Sequence, residues 1–142
     1  MRLALAFTLL ALTATHAVAQ QDTTLDRAMS RLVRQWAEGD AAGLAARASS
    51  GGLSIELDGR PSGPLHTRQA AAALRRLFDQ RETMSISRGM SGEVAGDASS
   101  AFIEFDWVVR MRGTTIPEHV TVFIALKRQD VAWRVTEIRV LR

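Results

Sequence analysis

Leu25, Met29, Leu32, Val33 and Trp36 recur at three- and four-residue intervals, which places them on one stripe of an amphipathic helix. Thr23 and Thr24 precede that run as caps, and Asp26 sits in the first turn, where the helix dipole favours an anion. Gly39 predicts a left-handed stop, and Asp40 the cap of a second, shorter helix through Leu44 to Ala48. After Gly51-Gly52 the period changes. Leu53, Ile55 and Leu57 alternate with Ser54, Glu56 and Asp58, the pattern of a half-buried strand. Gly59 to Pro64 reads as turn chemistry throughout, and Thr67 then predicts the cap of a third helix with Ala70, Leu74, Leu77 and Phe78 inward.

From Thr83 onward the chain reads as strand. Met84 and Ile86 alternate with serines, and Gly89, Gly92 and Gly96 predict bulges followed by a turn. Ala101 to Arg112, Ile116 to Arg128 and Ala132 to Leu141 are rich in β-branched and aromatic residues. Gly113-Thr114-Thr115 and Gln129-Asp130 separate them, so an antiparallel meander is expected.

Counting outward from the turns puts Ile103, Phe105, Trp107, Val109 and Met111 on one face beside Val120, Val122, Ile124 and Leu126. The other face receives Phe102, Glu104, Asp106, Val108, Arg110 and Arg112 beside His119, Thr121, Phe123 and Lys127. For the last strand the count places Trp133, Val135, Glu137, Arg139 and Leu141 on the apolar side, although a bulge would exchange the two sets. The expected class is α+β: a strongly bent antiparallel sheet packed on two to three N-terminal helices.

The order of elements, two helices, a strand, a third helix and a long meander, resembles the nuclear transport factor 2-like superfamily. In particular it resembles a branch of small secreted bacterial domains of unknown function. Ala37-Glu38-Gly39-Asp40-Ala41, Leu65-His66-Thr67-Arg68-Gln69-Ala70, Leu77-Phe78 and Trp133-Arg134-Val135 carry the resemblance. It implies a cone-shaped sheet wrapped around helices with a cavity inside. Relatives of that fold include isomerases, dehydratases and cyclases as well as binding and dimerising modules, so fold alone does not choose a function.

Residues 1–19 change the picture of location. Arg2, the apolar run Leu3 to Leu12 and Ala17-Val18-Ala19 have the make-up of a secretory signal, too short for a spanning helix. The expected products are a signal peptide, 1–19, and one domain, 20–142, exported to the periplasm or beyond, with no membrane span. There is no cysteine, hence no disulfide. Seventeen of the eighteen basic residues are arginine, and fifteen acids are interspersed with them. Such mixed charge leaves no single-sign footprint for nucleic acid.

Candidate chemistry is sparse. His119 falls opposite Val108 and diagonal to Asp106, a carboxylate–imidazole pair suited to proton abstraction, or equally a surface ion pair. The polar face on which both fall favours the surface pair. Glu137 and Arg139 point inward by the count; a carboxylate beside Trp107 and Val135 would have a raised pKa fit for general acid work. A flipped last strand would return both to the surface. Trp36, Phe105, Trp107 and Trp133, with Glu137 and Arg139, are the candidate lining of a ligand pocket, and aromatic residues at such spacing are also ordinary core.

His66 has no spaced partner, so no metal is expected, and no motif implies a cofactor. The reading favoured is an exported, non-enzymatic binding or interaction domain. Its partner is a small hydrophobic ligand, a protein, or a second copy met through Phe102, Val108 and Phe123. An isomerase, dehydratase or cyclase is the alternative.

Overall fold

The computed structural model describes residues 24–142, so the expected signal peptide and Thr23 lie outside the described residues. Helix α1 covers Leu25–Ala37 and buries Ala28, Met29, Leu32 and Trp36, the stripe that its period requires. Thr24 stands at its N-cap without a capping side-chain bond. Gly39, at φ +66°, turns the chain, and the Asp40 carboxylate accepts the Gly43 N–H to start α2, Ala41–Ala45. Strand β1, Leu53–Leu57, follows.

The segment expected to be all turn is instead a strand, β2, Arg60–Leu65, antiparallel to β1 at the rim of the sheet. Pro61 and Pro64 are tolerated there because an edge strand leaves half of its N–H groups unpaired anyway. Gly63, at φ +118°, lies so close that a Cβ would meet the Leu53 carbonyl at 2.8 Å. Helix α3, Thr67–Gln80, is capped one residue earlier than expected: His66 is the N-cap, and its N–H donates to the Gln69 side chain at 3.2 Å.

The fourteen residues of α3, at ~1.5 Å each, retrace the length that six strand residues cover at ~3.3 Å. The chain therefore returns beside its β1–β2 turn. There Arg81, only 7% exposed, reaches Asp58 at 3.5 Å. Arg142 joins the same carboxylate at 2.9 Å and Glu118 at 3.8 Å, tying four segments together at one end of the molecule.

Strands β3 (Arg81–Val94), β4 (Asp97–Met111), β5 (Pro117–Gln129) and β6 (Ala132–Leu141) form the meander. The sheet order is β2-β1-β6-β5-β4-β3, antiparallel except where β1 meets β6. Ladder slips between Thr83 and Ser85 and between Arg88 and Ser91 bend β3 around the helices. Gly89 sits inside the second slip, where a Cβ would come within 3.0 Å of the Glu104 carbonyl. One apolar core fills the concave side, from Leu53 and Ile55 across to Val109, under α1 and α3.

The β4–β5 register is the expected one, with Val108 opposite His119 and Asp106 opposite Thr121. The β5–β6 register is not. The turn is Asp130-Val131, since Gln129 pairs with Ala132, and an extra residue, Thr136, interrupts the ladder between the Leu126–Val135 and Ala125–Glu137 pairs. Trp133 and Val135 point inward before this bulge, and Ile138 and Val140 after it. Glu137 and Arg139 are thereby turned to the outer face, which corrects the inward direction expected for them. The core needed two more apolar side chains, and one inserted residue exchanges the faces at the cost of one unpaired position.

Candidate functional site

Inside the cone the aromatic side chains touch one another rather than a void. Trp36 takes Phe78, Phe105 and Trp107 edge-on at centroid distances of 5.1, 5.8 and 5.3 Å. These tilted contacts match the positive ring edges to the negative faces. Trp36, Phe105 and Trp107 are wholly buried, and Trp133 nearly so. The indole N–H of Trp107 donates to the Thr83 hydroxyl at 2.9 Å, while that of Trp36 is buried without a partner. Phe78 floors a cleft of about 310 Å³ rimmed by Glu38, Asp79, Arg81, Glu82 and Arg112.

The ionisable residues singled out from the sequence all lie on the convex side. Asp106 and His119 are exposed there, with Thr121 and Val108 as their cross-strand neighbours. Glu137 accepts a 2.7 Å hydrogen bond from Arg139 Nε, and that bond holds the guanidinium pKa above its ordinary value. Glu56 approaches the same guanidinium at 3.8 Å. Arg139 also lies 5.8 Å over the Phe123 ring, and Phe123 stacks on Phe102 at 5.9 Å with 19° between the planes.

Further along this face Arg110 bonds Glu82, and that bond depresses the Glu82 pKa. The outer surface thus carries two half-buried rings flanked by charges of both signs. Among the described residues no three His, Cys, Asp or Glu side chains converge as a metal site would require. No described helix is long and apolar enough to cross a membrane.

A further cleft was not foreseen. About 750 Å³ opens at the β5–β6 turn, between the 48–52 loop, the start of α3 and the beginning of β6. His66, Thr67, Gln129 and Arg134 line it. These residues come from stretches far apart in sequence, joined because the Ser49 N–H bonds the Val135 carbonyl at 2.8 Å. No local pattern announces such a place.

A bent six-stranded sheet cupped around helices defines the nuclear transport factor 2-like fold, and the chain has it. A DUF4783 family protein from Bacteroides uniformis is similar, with a TM-score of 0.66, 12% identity, and 78% of this chain and 93% of that one covered. So is a domain of unknown function with a cystatin-like fold from Nostoc punctiforme, at 0.64, 16%, 82% and 76%. A ketosteroid isomerase-like protein from Erwinia carotovora gives 0.62, 11%, 81% and 90%. No family profile and no curated protein matches the chain.

Proposed function

We propose that the chain is an exported association module, two copies of which pair through the convex face of the sheet. The observation that carries this reading is the stacked Phe102–Phe123 pair held out on that face under the Arg139 guanidinium. Rings left half in water are the usual anchors of an interface. The same face carries Glu104 and Asp106 as well as Arg110 and Arg139, so it holds charges of both signs from which a two-fold pairing can match acids of one copy with bases of the other.

A binding role is also favoured over proton transfer by placement. Glu137, Asp106 and His119 stand on the convex face of the sheet and not in the enclosed interior of the cone. Export rests on the composition of residues 1–19.

Sedimentation velocity from low to high micromolar concentration tests the pairing. The expected result is a rising sedimentation coefficient that Phe123→Arg flattens, with the melting temperature retained. A monomer throughout the range would overturn the reading.

A further inference from the structure

The cleft at the β5–β6 turn is lined mostly by hydrogen-bonding side chains. The Gln129 side-chain carbonyl accepts the Ser50 N–H at 3.1 Å, which fixes the side chain and leaves both of its amide N–H groups to donate. The Ser50 and Thr67 hydroxyls and the His66 ring stand in the same wall. Arg134 adds a guanidinium that, among the described residues, makes no ion pair. Asp130 is the one acid in the lining. The Arg134 guanidinium, the Gln129 amide and the two hydroxyls thus face one space of about 750 Å³, within the range of about 300–1,000 Å³ usual for metabolite sites. The apolar groups there are only Ala48, Val131 and Ala132, which suits a hydrophilic occupant rather than a greasy one.

We propose that this cleft binds a small hydrophilic oxyanion, a carboxylate or phosphate on a polar body, with Arg134 as its charged anchor. A planar guanidinium grips two oxygens of either group at once, and the amide and hydroxyl donors complete the shell. The site lies at the turn end of β5 and β6 and includes none of Phe102, Phe123 and Arg139, so occupancy and pairing are tested separately.

The isotope-labelled protein, titrated separately with inorganic phosphate and with glucuronate at constant ionic strength, tests the proposal. Saturable amide shifts confined to Ser50, His66, Thr67, Gln129 and Arg134 are expected with at least one probe, and which probe acts separates phosphate from carboxylate chemistry. Arg134→Gln should weaken binding about tenfold. Asp130→Asn should tighten it roughly two- to threefold by removing a like charge. Arg75→Gln, on the exposed side of α3, should leave it unchanged. Shifts that fail to saturate, or that persist undiminished in Arg134→Gln, would overturn the assignment; should that variant misfold, the direction of change in Asp130→Asn decides.

Discussion

Trp36 bears the greatest share of packing of any single residue in α1, with three rings against its edges and faces and none of its surface exposed. Trp36→Ala should lower stability by about 3–5 kcal/mol, read from the urea midpoint, because the cone walls are strands that cannot collapse into the hole. Asp97 behaves differently. Hydrogen bonds from Ser100 and Ser99 hold its carboxyl pKa at about 2, below the ordinary 3.8. A depressed acid contributes stability above its unfolded value and loses it as pH falls through the folded one. The Asp97 contribution is therefore complete above ordinary carboxylate pH and disappears towards pH 2. Ser100→Ala should raise the carbon-detected titration midpoint of Asp97 towards 3.8. An unchanged midpoint would remove the hydroxyl as the cause.

The strands show how far period-two reading reaches. The β4–β5 ladder was legible because both strands alternate without interruption and the turn between them was counted correctly. Strand β2 was not, since two prolines and two glycines within Gly59–Pro64 outweigh any strand pattern unless the segment is known to lie at an edge. The Thr136 bulge left a trace in plain sight. From Trp133 onward the buried residues of β6 fall at 133, 135, 138 and 140, and the single interval of three marks the inserted position. Deleting Thr136 should leave a cooperative unfolding transition, because the regular ladder that results still points Val135, Ile138 and Val140 inward and Glu137 and Arg139 outward; a broad, non-cooperative melt would show that the bulge itself is required. Glu137→Ala alone should move the melting temperature by less than ~2 °C, as expected of a carboxylate in a solvent-exposed pair. Gly63→Ala should cost about 1–3 kcal/mol, since its φ of +118° and the nearby Leu53 carbonyl leave no room for a Cβ.

At the scale of the molecule, the order of elements was enough to name the architecture, while its working surface was not readable in advance. The stacked Phe102 and Phe123 were visible as apolar residues on a polar face, but the cleft around Arg134 depends on three loops meeting, which no periodicity encodes. The Asp58 carboxylate is the other whole-molecule device, because it holds Arg81 and Arg142 from opposite sides of the chain's path. Asp58→Ala should speed amide exchange at Glu82 and Leu141 together while leaving the distant β5–β6 turn protected. Exchange confined to one of the two sites would show that the segments open separately.

The extra threonine in β6 has a meaning beyond this chain. It makes the direction of a side chain a question of odd or even count, so an acid can be carried from the wet side to the dry side without being mutated. A lineage in which the bulge slid two residues along β6, past Glu137, would turn that acid inward and still leave Val140 in the core. On such a scaffold a displaced bulge, rather than a new acid, is the shorter road between a module that adheres and one that moves protons.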